Sequence, residues 1–368
     1  MRLDKISIEN FRNYKWADIE FSNDTNIYLF IGDNAQGKTN FIEAISMLSL
    51  AKSFRTSNYL SLINNEAEYA RVAGIMSKEK NNVSLEFFVS MNSQKKKNLR
   101  KNGVDVTVRD FIGELNIVLF HPEDLNILYL SPSLRRKYIN TILSQTDPFY
   151  FEALVHYNRT LKQRNKNLQL ILEQKSSKDQ LVVWDEKLAE YGSYILENRL
   201  KLVEFFNEIL LKHYASISNA KDEVGIKYEN TLTGECVSKD NYQRALRATH
   251  ENDIRYQHTQ KGVHRDDITF YLNQKNVYEF ASRGEMRTLI IALKLAEIDY
   301  IKKKTGQKPL LLLDDVFSEL DKKRQQFLID TIKNYQSFIT TTHQDFLLED
   351  ASVFEIESGI LNSCHLRS

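Results

Sequence analysis

One stretch constrains this chain more than any other. Gly32-Asp33-Asn34-Ala35-Gln36-Gly37-Lys38-Thr39 fits the spacing G-x-x-x-x-G-K-[ST]. With only 12 Gly in 368 residues, a chance match is rare. Asn26 to Ile31, just before it, is an apolar and aromatic run of strand length, and Asn40 to Leu48, just after it, has helical spacing. Strand, glycine loop and helix is the order that wraps a phosphate chain. Glycine lets the backbone come close, successive N–H groups turn inward, and the helix presents its positive end. In this pattern Lys38 reaches the terminal phosphates and Thr39 holds Mg2+, so Gly32 through Asn40 are the expected nucleotide-binding residues.

A chain of 368 residues can build two domains and a sizeable core. A net charge of only +1 confines any nucleic-acid contact to a local patch. Cys236 and Cys364 have no metal-ligand spacing and suggest a reducing compartment. The eight His and two Cys form no ligand cluster, which argues against a metal or thiol enzyme. No apolar leader and no membrane-length apolar stretch are present, so a cytoplasmic protein without a membrane partner is expected.

Residues 3–31 read as two or three short strands, with Asn10-Phe11-Arg12-Asn13-Tyr14 between them. Arg12 is placed to approach a nucleotide from beside the loop or to be a solvated turn residue. Residues 83–89 and 104–112 read as strands around the turn Asn102-Gly103. Lys95, Lys96, Lys97, Arg100 and Lys101 before that turn form either a solvated hairpin tip or a patch for a nucleic-acid backbone. Arg55, in a basic loop after the first helix, is a second candidate for such a nucleic-acid contact.

No Gly occurs between Gly113 and Gly192. Ser131-Pro132 and Asp147-Pro148 mark two helix starts, the second opening a long polar helix with Arg159, Lys162, Arg164 and Lys166. A further helix carries Leu188, Tyr191, Ile195, Leu202, Phe205 and Ile209 on a packing face. Residues 119–257 therefore read as a helical lobe inserted into an α/β domain made of 1–118 and 258–368, the lobe extending structurally toward a helix near 282–301.

Leu310 to Leu313 is a buried-strand run ending in Asp314-Asp315. Read with the glycine loop, it is a strand packed beside the first that carries a carboxylate to the Mg2+ shell. Asp314 is the metal-side acid, and Asp315 is placed to orient or deprotonate the attacking water. Lys38 and Asp314 are 276 residues apart, a gap the helical insertion fills. Upstream, Ser282, Arg283 and Gly284 at a helix start make a second anion-binding end.

This order of motifs resembles the ABC-type ATPases, in which the serine-glycine signature of one subunit closes over the γ-phosphate held by the other. The resemblance gives Phe317 to Asp321 an interface role and makes His343, at a strand end, a γ-phosphate sensor. It is most specific to the RecF-like proteins, relatives of the SMC heads. The residues that carry it include Asn10 to Tyr14, Asn34 to Asn40, Phe54-Arg55-Thr56, Phe120 to Leu125, Gly262 to Asp267, Ser282 to Glu285 and Leu313 to Asp321. The resemblance implies an ABC-type head with a mixed β-sheet flanked by helices, and an ATP-dependent homodimer on double-stranded and gapped DNA. It further implies RecR and RecO as partners and the loading of a recombinase. Two departures stand out. Asp315 replaces the Glu usual in ABC-type enzymes, which implies slow hydrolysis, and His121-Pro122-Glu123-Asp124 occupies the region of their glutamine loop. A transporter-type ATPase subunit and an ATP-switched scaffold without needed hydrolysis are the alternatives.

Overall fold

The computed structural model describes residues 1–78, 81–92, 97–218, 222–232, 238–342 and 351–364. The chain divides into two compact units, one of residues 1–124 and 297–368 and the other of residues 125–296.

The first unit opens with β1 (Arg2–Phe11), β2 (Tyr14–Glu20), β3 (Ile27–Ile31) and α1 (Lys38–Leu50). It continues through β4 (Tyr69–Lys78), β5 (Asn81–Ser90), β6 (Lys97–Lys101), β7 (Val104–Asp105), α2 (Val108–Phe111) and β8 (Ile117–Phe120). The expected strand over 104–112 is thus only two residues of strand, because Thr107 caps α2 by accepting from the Asp110 N–H.

The second unit holds α3 (Asn126–Tyr129), α4 (Pro132–Thr146), α5 (Pro148–Leu172) and α6 (Leu181–Ser218). After these come β9 (Val224–Glu229), α7 (Lys239–Arg247), α8 (His250–Tyr256), β10 (Asp267–Leu272), β11 (Lys275–Asn276) and α9 (Val277–Phe280). The long α10 (Arg283–Thr305) leads back into the first unit, which ends with β12 (Leu310–Asp314), α11 (Lys322–Ile332), β13 (Ser337–Thr341), β14 (Ala351–Glu357) and β15 (Ile360–Cys364).

Two six-stranded sheets build the first unit. One is antiparallel, in the order β2-β1-β4-β5-β6-β7. The other runs β15-β14-β3-β13-β12-β8, and all its neighbours pair in parallel except β14 with β15. The parallel strands Ile27–Ile31 and Leu310–Asp314 are buried throughout, as their unbroken apolar runs require. Helix α1 belongs to one core with both sheets, and Phe41, Ile45 and Leu48 are fully buried there. That burial on several sides explains why its apolar residues are not confined to one stripe. β12 does not lie beside β3 as the motif reading expected. β13 is inserted between them, because parallel strands joined through helices need not be sequence neighbours.

In the second unit α5 and α6 pack together, and β9, β10 and β11 form a small antiparallel sheet. The interior is partly polar. Buried Arg199 donates to Tyr150 Oη at 3.1 Å, Tyr228 Oη at 3.0 Å, the Val263 carbonyl at 2.7 Å and Asn140 Oδ1 at 3.0 Å. Buried Arg164 pairs with Asp185 and Asp253, both at 2.8 Å. Gly192, in the middle of α6, is needed for close approach, since a Cβ there would lie 2.5 Å from the Tyr242 ring. No helix among the described residues is long and apolar enough to cross a membrane.

Candidate functional site

The glycine loop joins β3 to α1. Gly37 has φ +120°, and a Cβ there would meet the Asn13 amide nitrogen at 2.6 Å, so only glycine fits. Neighbouring turns brace the loop. Asn13 Nδ2 donates to the Gln36 carbonyl at 2.8 Å and Tyr14 Oη to the Gly37 carbonyl at 2.9 Å. The turn between β14 and β15 adds the Gly359 N–H to the Gln36 carbonyl at 3.0 Å and the Ser358 N–H to Gln36 Oε1 at 2.6 Å. Ala35 also has positive φ, +66°, and Asp33 and Asn34 complete the turn.

Lys38 is buried, and its Nζ donates to the carbonyls of Gly32 and Asp33, both at 2.7 Å. Burial lowers its pKa, while Asp315, Asp314 and Asp33 act in the opposite direction. Asp314 is the point of convergence. Its Oδ1 accepts from Thr39 Oγ1 at 3.0 Å and from Thr340 Oγ1, on β13, at 2.8 Å. His121 Nε2, at the end of β8, lies 3.6 Å from Asp314 Oδ2. His121 Nδ1 accepts from the Glu123 N–H at 3.1 Å, which leaves the neutral ring's proton on Nε2, facing the carboxylate. Thr39 and Asp314 offer the oxygen donors Mg2+ prefers, and such a site draws its remaining ligands from phosphate and water. Asp315 takes φ +50°, a region Asp enters more readily than most residues, and its N–H donates to Thr340 Oγ1 at 3.0 Å.

Arg12 is neither solvated nor simply free to approach a ligand. Its Nε and Nη2 donate to the two oxygens of Glu43, each at 2.9 Å. Glu43 is fully buried on α1 and also accepts from Ser53 Oγ. Arg55 lies 3.5 Å from the same carboxylate and donates to Asn40 Oδ1 at 2.8 Å. Arg12, Asn13, Asn40 and Arg55 line a cleft of about 570 Å³. Glu43 and Thr340 are not among the residues the motifs mark, while Asn13 and His121 enter only inside the segments Asn10 to Tyr14 and His121-Pro122-Glu123-Asp124. Glu43 left one signal, an acid inside the apolar run Phe41-Ile42-Glu43-Ala44-Ile45.

The remaining expected residues fall elsewhere. Ser282, Arg283 and Gly284 lie in the second unit at the start of α10. There the Ser282 N–H and Oγ both donate to Glu285 Oε2 at 2.7 Å, a capping box. Of the basic run, Lys97 donates to the Ala51 carbonyl and Tyr59 Oη, both at 3.2 Å, Arg100 pairs with Glu86 and Asp105, and Lys101 pairs with Glu114. Lys95, Lys96 and His343 lie outside the described residues. Gly262 to Asp267 is structural: Asp267 takes a bidentate pair from Arg135 at 2.7 and 2.8 Å, and Asp266 accepts from Tyr228 and Thr231.

The model of the RecF/RecN/SMC N terminal domain matches residues 2–358. The DNA replication and repair protein RecF of Streptococcus equi subsp. zooepidemicus (strain H70) is 40% identical over 98% of both chains. That of Clostridium novyi (strain NT) is 35% identical over 98% of this chain and 100% of its own. A solved structure of the recombination mediator protein RecF with ATP, in the RecFOR pathway, is 35% identical with a TM-score of 0.91, covering 99% of this chain and 97% of its own. An Smc head domain from Pyrococcus furiosus, 18% identical with a TM-score of 0.55, shares the fold. On this similarity, and with a glycine loop, a β12 acid and a helical insertion in the matching order, the chain belongs to the RecF family of DNA replication and repair proteins.

Proposed function

We propose that this chain is an ATP-switched, DNA-binding repair ATPase. The observation that carries the reading is the meeting of Thr39, from the glycine loop, with Asp314, from a strand far along the chain, at 3.0 Å. Lys38 exchanges its two carbonyl partners for the terminal phosphates. The cleft beside Asn40 receives the base and ribose, with Arg12 and Arg55 along its wall. Thr39 and Asp314 would hold Mg2+, and a metal bound there would supply charge neutralisation at the transferred phosphoryl group. Asp315 orients the attacking water and accepts its proton, and His343 senses the γ-phosphate. The short Asp315 side chain favours slow turnover, with DNA as the stimulus.

Two chains close head to tail, with Ser282, Arg283 and Gly284 of each completing the other's site through the positive end of α10. The closed dimer binds double-stranded or gapped DNA at single/double-strand junctions, works with RecR and RecO, and supports recombinase loading. Hydrolysis reopens it. The RecF structure with ATP at 35% identity supports the nucleotide part of this reading. Sedimentation of the chain with and without ATP and gapped DNA tests it. An ATP-dependent dimer, increased by gapped DNA, is expected; a monomer under every condition removes the clamp.

A further inference from the structure

Helix α5 buries one side and leaves the other to solvent. Tyr150, Ala153, Tyr157, Thr160, Arg164, Asn167, Leu168 and Ile171 face inward. Arg159, Lys162 and Lys166 are exposed. At 100° per residue these three fall within about 60° of one another, opposite the buried side, and span about 10 Å along the axis. None has an ion-pair partner among the described residues. The acids at the two ends of the helix are already engaged, Glu152 near His156 at 3.9 Å and Glu173 with Lys175 at 2.8 Å. Between them α5 carries no acid. The hairpin run differs, because each of its described cations is held by a carbonyl, a hydroxyl or a carboxylate. Free cations on a nearly neutral molecule are a local field, and a duplex offers about six phosphates over the same ~10 Å.

We infer that Arg159, Lys162 and Lys166 on α5 form a contact surface for the phosphate backbone of DNA. This rests on the reading that the chain binds DNA, and deepens it by naming the surface. The three side chains carry no base readout, so the contact is independent of sequence and sensitive to salt.

The experiment is fluorescence anisotropy of a gapped duplex between 50 and 200 mM salt, using the full chain and the variant Arg159→Gln/Lys162→Gln/Lys166→Gln. With each cation on one phosphate, the slope of log K against log salt becomes shallower by about 2.7 in the variant. Over that range the wild-type affinity then falls about 40-fold further than the variant's. The urea midpoint followed by Trp184, on the α6 helix that packs against α5, stays unchanged, which reports an intact second unit, and Arg100→Gln/Lys101→Gln keeps the wild-type slope. An unchanged slope in the α5 variant overturns the inference, and is also what a stripe built for an acidic protein would give. A wild-type chain that holds no DNA at 50 mM salt removes the DNA reading and this surface together.

Discussion

A fully buried carboxylate destabilises a fold unless it is answered, and Glu43 is answered by Nε and Nη2 of Arg12, by Ser53 and by Arg55. Glu43→Ala leaves the partly buried Arg12 cation without its carboxylate and should cost about 3 kcal/mol in urea unfolding. A loss within error of zero would mean that water replaces the carboxylate. Arg12 was undecided in the sequence because its partner is 31 residues away and no local pattern joins them. Lys38, Thr39 and Asp314 were legible because spacing and flanking strands specify them. Thr340 was not, since a Thr in a strand is ordinary until β13 is known to lie against β12. Asp315→Asn preserves a residue type that tolerates φ +50° while removing the carboxylate proposed as the base. Turnover should fall by roughly 10²–10⁴-fold and the ATP-bound dimer should accumulate; steady-state phosphate release at the wild-type rate would take Asp315 out of that role.

Among the elements, helix starts were the most readable. Asp147 accepts from the Phe149 N–H at 2.8 Å as its position before Pro148 required, whereas Ser131 turns its hydroxyl to Ser133 at 2.6 Å. The packing face of α6 was read nearly in register. Leu188, Ile195 and Leu202 are buried, but further on Phe206 and Leu210 replace the expected Phe205 and Ile209. Over 38 residues a true period of 3.6 drifts away from a strict heptad. The β10 alternation was visible, but nothing in it said that β9 would be its partner. Nearby, His264 accepts from Tyr157 Oη at 2.7 Å and donates to the Thr259 carbonyl at 3.0 Å, the pattern of a neutral ring. Burial lowers its pKa from 6.5 to about 4. Between pH 6.5 and pH 4 the unfolded chain takes a proton that the folded chain refuses, so stability falls as pH drops through that window. The loss should be on the order of 3 kcal/mol and level off below the folded value. Urea midpoints followed by Trp184 fluorescence should show this slope, and His264→Gln should flatten it; an equally steep slope in the variant would assign it to other groups.

For the whole molecule, fold class was legible and strand order was not. Apolar runs mark which strands are buried, but their lateral order depends on crossovers that leave no local trace, and so β13 between β3 and β12 could not be read. Assembly is where the two units' motifs make separable predictions. Lys38→Met should abolish nucleotide binding and, with it, any ATP-dependent dimer. Ser282→Arg removes a capping box, which costs about 1 kcal/mol of stability, but it should leave nucleotide affinity unchanged, since Ser282 belongs to the second unit and the glycine loop to the first, and yield only monomers by light scattering. A Ser282→Arg chain that cannot bind ATP would mean that the helix acts on its own loop.

The turn at Ser358 and Gly359 that props Gln36 has a consequence for synthesis. A ribosome releases the glycine loop early, but the strands beside β3 and the turn that fixes Gln36, 322 residues further along, are made much later. The emerging chain would therefore carry a complete nucleotide motif it cannot yet use. ATP competence should switch on once residues 351–359 have been made, so that chains still lacking them do not compete for nucleotide. Ribosome-stalled chains ending before residue 351 should retain no ATP in a filter assay, and retention there would show that the early elements shape the loop alone.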